Sequence, residues 1–140
     1  MAARSLGIEP HLLDVRTPEE LEPAFDAATK QRADALIVGL DTLTQANQRS
    51  IVDLAARRRL SAIYASTEFD GGLVVYGVNY PEMYRYAASF AHKIFKGATP
   101  ADLPVEEPTK FELVISLKTA KALGLTIPPS LLLRADRVIQ

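Results

Sequence analysis

Short apolar runs alternate along this chain with longer stretches whose apolar residues recur at helical spacing. Ala35 to Gly39 (ALIVG) is a continuous apolar run of the kind found in strands buried on both faces. His11 to Val15 (HLLDV), Ala62 to Ala65, Leu73 to Val78 and Phe111 to Leu117 read as further short strands. Helix signatures lie between them. Thr17-Pro18-Glu19-Glu20 starts one: Thr17 caps, Pro18 suits the first helical position, and Glu20 closes a capping box. Leu21, Phe25 and Ala28 then repeat down one face. A polar segment, DTLTQANQ, leads into a helix from about Gln45 to Arg59 with Ile51, Leu54 and Ala55 as its stripe. Asn79 caps a third helix, whose stripe of Met83, Ala87, Phe90, Ala91 and Ile94 is predicted to be buried and which Gly97 ends.

The remaining punctuation fits the same scheme. Ala2 to Leu6 reads as the last turn of a helix stopped by Gly7, and Asp70-Gly71-Gly72 is a turn. Pro100 to Pro108 reads as an extended linker, and two short helices flank Pro128-Pro129. Strands alternating with helices predict an α/β fold: a three-layer, Rossmann-like lobe with a mainly parallel sheet.

Composition narrows the function classes. At 140 residues the chain is one domain's worth of protein. Sixteen Lys and Arg against 17 Asp and Glu give a net charge of -1, which argues against nucleic-acid or anionic-membrane binding. Without cysteine there are no disulfides, no thiolate catalysis and no cysteine-ligated metal. No apolar run approaches a membrane span. The start, MAARSLGIEP, has no apolar signal-peptide core, so a chain that begins at Met1 is expected in the cytoplasm.

Catalytic and cofactor motifs are missing from the sequence. There is no GxGxxG and no GxxxxGK[ST], and Gly71-Gly72 precedes a strand where a phosphate loop would open a helix. His11 and His92 have no ligand at metal spacing, and no GxSxG supports a triad. Neither catalytic residues, metal nor cofactor is expected. Arg57-Arg58-Arg59 complements the carbonyl end of its helix, and the five tyrosines from Tyr64 to Tyr86 are expected to be mostly half-buried. What remains are the loops after the strand carboxyl ends, where open α/β sheets bind ligands. Asp41-Thr42, Ser66-Thr67-Glu68 and Asn79 occupy those places. Helix capping competes as an explanation, since Thr44 and Asn79 satisfy it without any ligand.

The closing stretch, FELVISLKTAKALGLTIPPSLLLRADRVI, resembles the C-terminal signature of ABC-transporter substrate-binding proteins related to the tryptophan/tyrosine-binding lipoproteins. KIFKGATPADLPVEEPTKFELV, ADALIVGLDTL, RRRLSAIYA and the EF…GGL..YG pattern from Glu68 to Gly77 fall in that family's order, covering essentially the whole chain. Two departures stand out: the loop between Glu68 and Gly72 is short, and Ser116 takes a place commonly held by asparagine.

The resemblance implies a type I periplasmic-binding fold whose two lobes close on a small solute and hand it, unchanged, to an ABC permease. It implies a periplasmic parent family whose members are about twice this length. Residues 1–99 are then an incomplete second lobe, and residues 100–140 a hinge-crossing segment, strand and terminal helices that dock on the first lobe. Asp41, Thr42, Glu68 and Asn79 carry over as ligand-binding positions for a small organic solute such as an amino acid. A lobe without its first strand exposes unpaired backbone, so a homodimer through the exposed sheet or terminal segment is expected. The alternative is a truncated, non-transporting module that only folds and self-associates.

Overall fold

The computed structural model describes residues 2–106 and 110–140. Five strands form one sheet in the order β1 (Ala35–Val38), β2 (Ser61–Ser66), β3 (Val74–Val78), β4 (Phe111–Ser116) and β5 (Arg137–Ile139). Strands β1 to β3 are parallel, β4 runs antiparallel to β3, and β5 is parallel to β4. The helices are α1 (Ala2–Ser5), α2 (Leu21–Lys30), α3 (Thr42–Ala46), α4 (Gln48–Arg57), α5 (Tyr80–Phe95), α6 (Leu117–Leu123) and α7 (Pro129–Leu132). A mainly parallel sheet flanked by helices makes this an α/β lobe, as the strand–helix alternation predicts.

The core lies where α2 and α4 meet the sheet. Leu21, Phe25 and Ala28 of α2 and Ile51, Leu54 and Ala55 of α4 pack with Ala62, Tyr64, Val75 and Val114. Each large side chain buried there contributes about 1.5–3 kcal/mol. Parallel neighbours usually need a helical crossover, yet only residues 67–73 join β2 to β3. The short connection works because Phe69 and Leu73 turn into the core, with the Phe69 ring stacked on Tyr64 at 4.8 Å. Gly77 permits the close approach of β3 to β2, since a Cβ there would lie 2.3 Å from the Ala65 carbonyl oxygen.

Several local expectations need correction. His11–Val15 forms no strand. Leu13 and Val15 pack on the core while Leu12 is exposed, an alternation proper to a strand, but among the described residues the backbone of 9–15 pairs with nothing. Strand β1 is not buried on both faces: it is the sheet edge, with Leu36 and Val38 on the core and Ile37 85% exposed. The helix expected from Gln45 begins at Thr42 and breaks at Asn47. The Asn47 side chain donates to the Leu43 carbonyl (2.8 Å), a local bond that competes with continued helix. Glu20 accepts from the backbone N–H of Arg16 (2.8 Å) instead of that of Thr17, and a 3₁₀ turn over Pro18–Glu20 precedes α2.

The largest correction concerns α5. No α5 residue is buried: Met83, Ala87, Ala91 and Ile94 are exposed and Phe90 is half-buried. An amphipathic stripe records the need for a partner surface, and the described chain lays none against this helix. What holds α5 is polar: Tyr86 donates to Glu106, and Glu82 pairs with Lys110 at 3.0 Å.

The expected linker from Pro100 contains a 3₁₀ turn, Pro100–Asp102, and its positions 107 and 108 lie outside the described residues. The segment after it, expected to run toward a lobe outside the chain, takes its place in this sheet. Strand β4 sits between β3 and β5 and buries Val114, Ile115 and Ser116. The basic run closes α4 as expected, with Arg57 in its last turn, and Arg58 also reaches across to Asp26 (2.6 Å) and Glu22 (3.2 Å) of α2.

Candidate functional site

Because β1, β2 and β3 are parallel and β4 opposes them, one edge of the sheet gathers the ends of three strands and the start of a fourth. All four sequence-predicted positions lie along it. Asp41 follows β1 and caps α3. Its Oδ1 accepts from the Thr44 N–H (2.7 Å), while the Thr44 hydroxyl accepts from the Asp41 N–H (2.9 Å) and donates to the Gly39 carbonyl (2.9 Å). The Thr44 N–H, foremost, holds the Asp41 carboxyl below its ordinary range. Thr42, the first residue of α3, is exposed.

Glu68 stands in the turn after β2, exposed to solvent. Its Oε2 accepts from the side-chain amides of Gln45 (2.9 Å) and Gln48 (3.5 Å), so the β2 loop is tied to the α3–α4 break. Asn79 ends β3 and is half-buried. Its Oδ1 accepts from the Glu82 N–H (2.9 Å), capping α5, and its Nδ2 donates to Glu112 Oε1 of β4 (2.5 Å).

The structure therefore links Glu68 to the helix that Asp41 and Thr42 open, and links Asn79 to Glu112. Gln45, Gln48 and Glu112 are site-edge residues that the sequence reading does not single out. The two glutamines were visible in DTLTQANQ, a polar stretch on the edge-facing end of a helix. Glu112 gave no signal, because it is one carboxylate inside an otherwise apolar strand. A depression of about 240 Å³ runs along residues 45–50, beside the glutamines that hold Glu68. The edge offers carboxylate acceptors, an amide with both polarities and the exposed Thr42 side chain with its hydroxyl, a set suited to hydrogen-bonding a small polar solute. Among the described residues, no three His, Cys, Asp or Glu side chains are grouped to hold a metal, and no helix is long and apolar enough to cross a membrane.

The family model for ABC transporter substrate-binding proteins matches residues 1–139. The chain belongs to that family. Its members are binding proteins for small solutes that work with a permease, outside the cytoplasm. Solved structures agree in fold. A conserved domain protein from Vibrio cholerae superposes with a TM-score of 0.87 at 22% identity, covering 98% of this chain and 47% of that one. The ABC domain from Streptococcus pneumoniae, solved in complex with L-Trp, gives 0.86 at 25% identity, covering 98% and 48%. A ligand-free, open substrate-binding protein with adhesive properties from Clostridium difficile gives 0.67 at 21% identity, covering 99% and 47%. The chain thus spans about half the length of these relatives. No curated protein matches it.

Proposed function

We propose that this chain is one lobe of the solute-binding component of an ABC importer and holds a small organic solute of the amino-acid class. The solute lies at the strand-end edge, contacted by Asp41, Thr42, Glu68 and Asn79, and passes unchanged to a permease. The observation that carries the reading is the family match over residues 1–139, in a lobe that collects these four polar positions on one edge. The amino-acid class is supported by the L-Trp complex of the 25% identical Streptococcus pneumoniae domain. Proteins of this architecture grip ligand by hinge closure between lobes, so one lobe supplies part of the contact and binds weakly. Isothermal titration with a panel of L-amino acids tests this. Weak, saturable heat that Glu68→Ala reduces at least tenfold supports the reading, and no heat with any member of the panel overturns it.

A second reading, a module that self-associates, is favoured by the sheet edge. Among the described residues nothing pairs with the outer edge of strand β1, which carries Ile37 85% exposed and lacks the proline, bulge or lysine that usually blunts such edges.

A further inference from the structure

The connection from β2 to β3, residues 67–73, is pinned at both ends by side chains of other elements. At the strand-end edge, Glu68 accepts from Gln45 and Gln48. Farther along, the Gly71 carbonyl accepts from the Thr119 hydroxyl of α6 (2.9 Å). That hydroxyl is itself aimed. The Ser116 hydroxyl donates to it (2.9 Å), and Ser116 Oγ in turn accepts from the Thr119 N–H (3.1 Å). Each hydroxyl has one proton to give: that of Ser116 goes to Thr119, and that of Thr119 goes to Gly71. Ser116 is buried, and its N–H donates to the Leu73 carbonyl (3.0 Å), so the end of β4 also holds the last residue of the connection.

Between the two pins there is little slack. Three turn hydrogen bonds follow one another, from the N–H of Phe69 to Ser66, of Asp70 to Glu68 and of Gly72 to Phe69. The Phe69 ring is buried in its stack on Tyr64. Gly71 sits at φ +80°, where other residues are strained, against Val52 of α4. A helical crossover, with about a dozen or more residues, would absorb a small displacement. This tight turn passes a displacement of Gly71 on to Glu68.

We infer that Thr119 is a positioning residue for the solute site: its hydroxyl, aimed by Ser116, fixes Gly71 and thereby the turn that presents Glu68. The inference rests on the reading of Glu68 as a solute contact. Thr119 acts through the connection and not on the solute, and it makes the geometry of the strand-end edge depend on β4 and α6.

Three variants of the full chain test it. Thr119→Val removes the hydroxyl at nearly constant volume, Thr119→Ala removes it without adding a branched side chain to α6, and Thr119→Ser restores it. The first readout is the NMR spectrum without ligand. Thr119→Val and Thr119→Ala should move the amide signals of Glu68 and Phe69 and the side-chain amide of Gln45, with the signals of Ala28 and Ile51 unchanged as the check on folding. Thr119→Ser should keep the parent positions. Changes that stop at residues 71–73 and 116–120, or a Thr119→Ser spectrum like that of Thr119→Val, overturn the inference. The second readout is titration with a panel of L-amino acids. Losing one hydrogen bond's worth of positioning should weaken binding about threefold to tenfold in Thr119→Val, with parent affinity in Thr119→Ser. Unchanged affinity in Thr119→Val overturns the positioning role even where the Gln45 signal moves. A parent chain that binds no amino acid overturns the solute reading instead, and the ligand-free spectra then still decide whether Thr119 sets the Glu68 turn.

Discussion

The amide of Asn79 bridges two elements: its oxygen accepts from the Glu82 N–H that opens α5, and its nitrogen donates to the Glu112 carboxylate at the start of β4. One side chain thereby ends β3, starts a helix and ties the edge of the sheet to the returning strand. Asn79→Ala removes the cap, costing about 1 kcal/mol. Since α5 buries none of its residues, the loss should appear in that helix and not in the core. The expected outcome is reduced far-UV helical signal and faster amide exchange over residues 80–85, with the exchange of Val75 and Val114 unchanged.

Asp41 couples the edge to pH. Its folded carboxyl lies below the ordinary value because the charged form accepts from the Thr44 N–H. A depressed pKa gives stability that is fully present above the unfolded value, near pH 4, and is lost as pH falls through the folded value. Asn caps helices about as well as Asp, so Asp41→Asn should change neutral-pH stability by less than about 0.5 kcal/mol. It should also flatten the fall in stability on the acid side. Urea unfolding at pH 7 and below pH 4 measures both arms.

Gly77 and Gly72 both face crowded neighbours, but of different kinds. A Cβ at Gly77 meets backbone, the Ala65 carbonyl at 2.3 Å, whereas one at Gly72 meets the Tyr64 ring at 2.6 Å. Backbone in a paired strand cannot step aside, and a ring can pivot at the expense of its stack on Phe69. Gly77→Ala should therefore destabilise more than Gly72→Ala, by about 3 kcal/mol or more against about 1–2. Chemical denaturation of the two variants checks the order.

Arg58 joins α2 to α4 through Asp26 and Glu22, with the arginine itself well covered and both carboxylates open to solvent. Exposure of the partners limits the pair to about 1 kcal/mol. Arg58→Ala should lose that much at low salt, and the difference from the parent chain should shrink in 1 M salt as screening shortens the reach of the charges.

How far the residues announced this structure depends on where their partners lie. Caps and core stripes whose partners are within the chain were legible: Asn79 does cap a helix, and Phe25, Ile51 and Leu54 do form the core. Errors cluster where an apolar pattern has no partner surface in the described chain. HLLDV alternates like a strand but has nothing to pair with, ALIVG is apolar throughout yet half-exposed at an edge, and the α5 stripe is amphipathic yet uncovered. Hydrophobic patterning records what a segment is built to touch, and it reads the same whether or not that surface is present. At the strand-end edge, position was legible and connectivity was not. The order of strands and loops puts Asp41, Glu68 and Asn79 on one side, but nothing in the spacing shows that Gln45 holds Glu68 or that Asn79 holds Glu112.

The central claim, a solute site at the carboxyl ends of β1 to β3, is tested most directly by residue-resolved NMR. Amide shifts of the isotopically labelled chain are followed during titration with L-amino acids. The account predicts saturable shifts confined to residues 39–45, 66–69 and 78–82, the segments that carry Asp41, Thr42, Glu68 and Asn79. Shifts that fall elsewhere, or none with any amino acid at millimolar concentration, would contradict it.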